Sequence, residues 1–381
     1  MDYSDFAIDL MKVMVSIPSQ SQNEKEIAFY LYEVLRNLGL ATELQQIKRK
    51  SYNVLAKKKG TGTSRQKLLL GGHIDTVKAD KAWKSNPFQV EERGGRFYGL
   101  GCGDMKAGLA AQIAVLKKLI DEGIVLDGEI ELVCLCDEER YSIGANAYVD
   151  TVRKRGEPPA DFAIFAEPHY DNIVIGASGK ILLKIEITGS TCHGAMPERG
   201  INAVSCMAKL IQALDEKYEA LYRQGETASH CVLEIDSPWK GYGLSVPDRC
   251  TCLLNKQLNT AEKAEDFITD LRSLYDQNVG EGSIHISREV PCYPSYALDQ
   301  NNDDLKNLCR LAREIGGFDP VLHINQSVSD GNILFCELGV PVVLFGPQGV
   351  NFHRAGEYVI AETVKQYINI LDQYIRHFFK V

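Results

Sequence analysis

A chain of 381 residues exceeds the roughly 250 to 300 at which single hydrophobic cores stop growing, which predicts two domains. Its 45% hydrophobic and 24% charged residues are those of a globular protein. A net charge of −9 with no basic block argues against a phosphate-backbone partner, so nucleic acid binding is not expected.

The chain opens on "MDYSDFAIDLMKVMVSIPS", which lacks a basic segment and a cleavage signal. No apolar run approaches the ~20 residues that span a bilayer, so a soluble cytoplasmic protein without a membrane partner is expected. Next, "IPSQSQNEKEIAFYLYEVLRNLGL" reads as a helix, with Ser21 and Glu24 spaced as a capping box and Gly39 closing the periodicity. Strands are predicted at 52–57, 67–71, 129–136 and 162–166, and helices at 106–120 and 143–154. This alternation argues for an α/β layer with a largely parallel sheet. Of the eleven cysteines, Cys134 and Cys136 sit inside an apolar run, where reduced core thiols fit better than a disulfide framework.

From residue 180 the pattern changes. "KILLKIEIT" predicts a strand, 201–218 a helix, "CVLEID" and "RCTCLLNKQL" strands, "AEKAEDFITDLRSLYDQ" a helix and "SIHISREV" a strand. That βαββαβ order is the ferredoxin-like unit. After about residue 291 the α/β pattern resumes, with a helix near 302–314, strand-like "VPVVLFG" and a last helix in which Val364, Tyr367, Ile368, Leu371, Tyr374, Ile375 and Phe378 recur at helical spacing. One α/β domain built from 1–179 and 291–381, interrupted by a smaller domain at 180–290, is the expected organisation.

Open α/β sheets bind ligands beyond the carboxyl ends of their strands. There the chain carries His73 and Asp75 after "LLLGG", Glu138 and Glu139 after "GEIELVCLCD", Glu167 after "DFAIFA" and His353 after "VVLFGPQGVN". Asp104 stands in the glycine-rich "YGLGCGDMKAG" entering a helix. Histidines and carboxylates gathered without arginines need a cation, and imidazole with carboxylate suits zinc, with cobalt or manganese as alternatives. Five candidate ligands exceed one tetrahedral site, and a metal pair about 3.5 to 4 Å apart that shares one carboxylate accounts for the excess. Asp75 is spaced to orient His73 through its other ring nitrogen. Of the adjacent Glu138 and Glu139, one can bind metal and the other act as general base.

These stretches make the chain recognisable. "GGHIDTV", "WKSNPFQVEERGGRFYGLGCGDMKAGLAA", "DEERYSIGA", "AEP", "STCHGAMPERGINAV", "SDGN" and "FGPQGVNFHRAGEYV" run nearly end to end. In them the chain resembles the aminoacylase, acetylornithine deacetylase, succinyl-diaminopimelate desuccinylase and glutamate carboxypeptidase family of co-catalytic zinc hydrolases. The resemblance implies a catalytic domain of zinc-exopeptidase type with an inserted lid that pairs two subunits, hence a homodimer. It implies that His73 and Glu167 share one metal, that Glu139 and His353 hold the other, that Asp104 bridges and that Glu138 shuttles the proton. It further implies that His193, in "TCHGAMPERGINA", reaches the partner's site as oxyanion donor.

The chain also departs from the family. Many such deacylases carry an asparagine before the "P-D" turn of the lid and an arginine ten residues after its proline, where this chain has Leu244 and Gln257. Arg249 lies inside the turn but matches no motif. A standard carboxylate grip is therefore in doubt. His169 follows "AEP" where threonine is common and reads as a near-site residue, while Cys102 and Cys192 read as packing residues. The expected function is hydrolysis of the amide of an N-acyl amino acid or related small molecule, with "GLGCGDMKAG" leaning towards the acetylornithine deacetylase branch. A dipeptidase or carboxypeptidase using the same site is the alternative. A non-catalytic binder is disfavoured because no ligand or base is missing. Serine hydrolase and nucleotide-binding motifs are absent.

Overall fold

The structure, a computed structural model, describes residues 2–61, 64–223, 229–237, 243–260 and 262–381. Helices α1 (Tyr3–Ser16) and α2 (Lys25–Asn37) come first, then strands β1 (Ala41–Gln46), β2 (Tyr52–Lys59), β3 (Lys67–His73), β4 (Glu91–Arg93) and β5 (Arg96–Tyr98). They are followed by α3 (Ala107–Asp121), β6 (Glu129–Leu135), α4 (Ile143–Arg155), β7 (Phe162–Phe165) and β8 (Asn172–Ala177). Next come β9 (Gly179–Thr188), α5 (Ala203–Arg223), β10 (His230–Asp236), β11 (Arg249–Leu258), α6 (Ala264–Asn278), β12 (Ser283–Tyr293) and β13 (Tyr296–Ala297). The chain closes with α7 (Asp303–Leu311), β14 (Val321–Asn325), α8 (Asp330–Leu338), β15 (Val342–Leu344), β16 (Gly349–Val350), β17 (Tyr358–Ile360) and α9 (Ala361–Phe379). Of the expected helix at 261–277, Ala261 lies outside the described residues.

Two compact units result. One holds the chain up to Gly176 together with Ala297–Asn325 and Ser329–Val381, and the other holds Ala177–Tyr296 with Gln326–Val328. The larger unit is built on a sheet ordered β1-β2-β6-β3-β7-β15-β8-β13, with β14 on β8. The pairs β6–β3, β3–β7 and β7–β15 are parallel. β1–β2, β2–β6 and β15–β8 are antiparallel, so the parallel core predicted from alternation is flanked by antiparallel strands. The parallel strands read as unbroken apolar runs because both faces are covered, and every residue of β3 is buried. Successive side chains alternate between faces. Leu68, Leu70, Ile130, Leu132, Phe162 and Ile164 join one core with the buried faces of α1, α3 and α9, which pack on one another, while α4 packs on α8. A small second sheet, β16-β17-β5-β4, completes this unit.

The α2 start differs from expectation. The helix begins at Lys25, and its cap residue Glu24 makes no side-chain capping bond. The Ser21 main chain is instead tied to Thr76, its N–H donating to the Thr76 carbonyl at 3.2 Å. This aims the Ser21 hydroxyl at Asp75 Oδ2, to which it donates at 2.7 Å, a hydrogen bond to a fully buried carboxylate. α1 is capped by Asp2, whose carboxylate accepts the Ser4 N–H at 2.9 Å.

The smaller unit is a four-stranded antiparallel sheet ordered β10-β11-β9-β12, the ferredoxin-like order. Ile181, Leu183, Ile185 and Ile187 alternate along β9 and bury against Met207, Leu210 and Leu214 of α5 and Phe267 and Leu271 of α6. Among the described residues no helix is long and apolar enough to cross a membrane.

Candidate metal centre

Parallel pairing brings the carboxyl ends of β3, β6, β7 and β15 to one edge of the larger unit. His73 lies level with Leu135 in the register, Gly71 with Phe165, and the Phe345 N–H continues the ladder to the Phe165 carbonyl at 2.8 Å. Residues two or three positions beyond each strand are thereby set side by side, which is why ionisable residues far apart in sequence can act together.

His73, 1% exposed, points its Nε2 at Asp104 Oδ1 across 3.1 Å. Asp104 reaches it on a tight turn, Cys102–Lys106, that lies directly over β3. Gly72 makes that approach possible: a Cβ there would lie 1.9 Å from the Met105 methyl, and Met105 Sδ accepts the His73 N–H at 3.2 Å. The second Asp104 oxygen faces His353 Nε2 at 3.3 Å, and His353 Nε2 also lies 2.8 Å from Glu139 Oε2. His353 is half-exposed and has φ +62°, a left-handed conformation that turns its loop back towards the sheet. One carboxylate thus stands between two imidazoles, and ligand atoms of His73, Asp104 and Glu139 all lie within 4.8 Å of one another. Both imidazoles present nitrogens to acidic oxygens in a largely buried site, a donor set that fits divalent cations.

Electrostatics report the same crowding. Burial would favour neutral His73, but the Asp104 hydrogen bond and the nearby Glu167 and Glu138 carboxylates hold it well above its ordinary value. His353 is pushed up to about 10 by its hydrogen bonds to Asp104 and Glu139. For Asp104 the cost of burial is outweighed by the two histidines, and it is held low. Burial raises Glu138 well above the carboxylate range and Glu167 to about 8, with His73 opposing both and other carboxylates adding to the rise. Acids crowded and buried together in this way mark a site suited to hold positive charge.

Asp75 behaves differently from its expected role. The His73 Nδ1 partner is the Asp75 backbone carbonyl at 3.0 Å, whereas the carboxylate is 3.7 Å away. The carboxylate instead accepts the backbone N–H groups of Glu138 at 3.0 Å and Glu139 at 3.2 Å. Those amides are the unsatisfied donors of a turn leaving β6, and a fully buried acceptor satisfies them. Asp75 therefore acts on the turn that carries both glutamates.

His193 lies in the smaller unit and is exposed. The Ala195 N–H donates to its Nδ1 at 3.1 Å, which leaves the proton on Nε2, and a bridge to Ser245 holds its backbone. Leu244 is 63% exposed, the Gln257 amide donates to the Gln326 carbonyl, and the Arg249 guanidinium is paired with Glu186 at 2.7 Å. Cys102 is buried and donates to the Phe97 carbonyl at 3.0 Å, while His169, within the larger unit, is lowered by burial. Two acids went unassigned in the sequence. Asp330, in "SDGN", is buried and pushed up to about 7 by burial. Glu357, 1% exposed, faces the Asp104 turn. An acid placed just before an apolar strand, "GEYV", is the one signal that could have pointed to Glu357.

Comparison with known proteins agrees with this chemistry. Residues 69–377 match the model of "Peptidase family M20/M25/M40". A probable succinyl-diaminopimelate desuccinylase of Staphylococcus epidermidis is 24% identical, with 95% of each chain covered. The N-formyl-4-amino-5-aminomethyl-2-methylpyrimidine deformylase of Bacillus subtilis is 26% identical over 98% of this chain and 95% of its own. A tripeptidase of Staphylococcus aureus has a similar fold, with a TM-score of 0.76 at 22% identity and 99% of each chain covered.

Proposed function

The chain belongs to peptidase family M20/M25/M40 and is a metal-dependent hydrolase, and from that premise we propose that it cleaves the amide bond of an N-acyl amino acid or a related small molecule at a pair of divalent ions, zinc first among the candidates. The observation that carries this reading is the Asp104 carboxylate standing between the imidazoles of His73 and His353, with Glu139 on the outer side of His353. His73 and Glu167 would hold one ion and Glu139 and His353 the other, with Asp104 shared. When bound, the ions acidify water and polarise the amide carbonyl.

The chain's own groups do the rest. Glu138 takes the proton of the attacking water and hands it to the leaving amine. A carboxyl group whose burial favours the protonated form is suited to hold that proton between the two transfers. Asp75 holds the Glu138 backbone, so the base keeps its place while its side chain moves. His193, with its proton on Nε2, would donate to the oxyanion in the site of a second subunit, and the ferredoxin-like unit would form the dimer contact. Two relatives carry the names of acyl-removing enzymes, a desuccinylase and a deformylase, which favours a deacylase. The tripeptidase fold neighbour keeps a peptidase as the second reading.

The test is primary-amine release from N-acetyl and N-succinyl amino acids and from dipeptides, by chelator-stripped enzyme before and after zinc or cobalt is restored. Metal-dependent release from the acyl compounds is the expected result. Release from dipeptides alone would assign the peptidase, and release that persists after stripping would overturn the metal reading.

A further inference from the structure

The turn that carries Asp104 is poor in side chains able to fix it. "GLGCGD" alternates glycine at 99, 101 and 103, and Gly103 packs so tightly that a Cβ would sit 3.1 Å from both the Gly349 Cα and the Tyr358 carbonyl. Asp104 nevertheless has to present one oxygen to each of two imidazoles. Its backbone is fastened from outside. Glu357 Oε2 accepts the Gly101 N–H at 3.0 Å, and Oε1 accepts the Gly103 N–H at 2.9 Å and the Asp104 N–H at 3.0 Å. The Glu357 carbonyl also accepts the Gly99 N–H at 3.1 Å. Three amides converge on one 1%-exposed carboxyl group, and the last of them belongs to the very residue whose side chain stands between the histidines.

We propose that Glu357 is a positioning residue of the metal centre: by fastening the Gly101–Asp104 turn it sets the place of the shared carboxylate, and so the affinity with which the pair of ions is held. Glu357 follows His353 by four residues, so one loop supplies both a candidate ligand and the anchor of another. The inference rests on the dinuclear reading given above. Partners in this position typically change metal affinity by about 10 to 100-fold when removed, because a ligand displaced by a fraction of an ångström no longer meets the ion.

The experiment strips the full-length enzyme with chelator and titrates zinc by competition calorimetry, with thermal unfolding of the stripped protein measured alongside. Wild type, Glu357→Gln, Glu357→Asp and Leu371→Ala are compared. Glutamine keeps the volume but offers a single oxygen to the three amides, and Leu371→Ala is a core control in α9. Expected are two bound equivalents for wild type and a Kd raised at least about tenfold for one or both in Glu357→Gln. Glu357→Asp should fall between, and Leu371→Ala should melt earlier with its Kd unchanged. Zinc binding by Glu357→Gln within about threefold of wild type would overturn the proposal, as would an equal loss of affinity in Leu371→Ala. If Glu357→Gln does not fold, the aspartate variant is judged by the same limits. Failure of wild type to bind two equivalents would remove the dinuclear reading and this proposal together, whereas two equivalents held equally by every variant would remove this proposal alone.

Discussion

Replacing Asp75 by asparagine separates the two tasks that residue could have. Its carboxylate is fully buried and accepts three bonds, from the Glu138 and Glu139 amides and from the Ser21 hydroxyl. Asparagine has one oxygen, so in either orientation one of the two amides faces an NH2 group. A hydrogen bond to a charged acceptor contributes about 1.5 to 3 kcal/mol, and a neutral one about 1 kcal/mol. Losing one and weakening the other costs about 2 to 5 kcal/mol. Removing a negative charge from the neighbourhood of Glu24, Asp137 and Asp330, whose carboxyls it repels, returns part of that. A net loss of about 1 to 3 kcal/mol remains, a fall of roughly 1 to 4 °C in Tm for a chain of this length. Turnover should suffer more, since a base displaced by about 1 Å can lose 100-fold. The assay is kcat and KM for amine release by the zinc-reconstituted variant, with Tm measured alongside. A kcat within about threefold of wild type would show that the turn does not depend on Asp75.

Glu138→Gln should keep both ions and lose at least about 100-fold in kcat, by metal analysis and steady-state kinetics; loss of metal instead would mean that Glu138 and Glu139 exchange roles. His193→Ala should cost about 100-fold or more in kcat with metal content unchanged, and a loss under about twofold rules out an oxyanion contact. The stripped enzyme should be less stable near pH 7.5 than near pH 5. Burial raises Glu24 and Asp330 to about 7 from ordinary values of 4.5 and 3.8, so between those limits the folded state binds more protons than the unfolded one and stability falls as pH rises. The raised His73 and His353 act in the same direction. Thermal midpoints in excess chelator decide it, and a higher midpoint at the higher pH refutes the account.

The candidate ligands were legible because each is announced by chemistry that a parallel strand cannot otherwise use. An apolar run such as "LLLGG" has to end where covering helices stop, and His73 or Glu167 just beyond it is conspicuous. The ferredoxin-like order was legible for a similar reason, since β9 and β11 alternate cleanly between a buried and an open face. What stayed hidden depends on pairing across long stretches of chain. Ser21 and Glu24 have the spacing of a capping box, yet Ser21 is claimed by an acid 54 residues away. The antiparallel flank β1, "ATELQQ", is too polar and exposed to stand out as a strand, and nothing in the composition of β2 fixes the direction in which it pairs. Asp75 and Glu357 act on backbone amides, and an amide has the same letter at every position.

Asp75 sits two residues after His73, and Glu357 four after His353, so each short segment brings a candidate ligand and a fastener for a segment contributed from elsewhere. Inheritance should respect that coupling. A one-residue insertion between His73 and Asp75, or between His353 and Glu357, would uncouple two turns at once and could not be corrected by a substitution at either. Length change between the anchored segments, as in the exposed stretch around Asp80 and Lys81, would disturb neither. The two spacings should therefore be among the least variable distances along descendants of this chain, even where the residues between them drift.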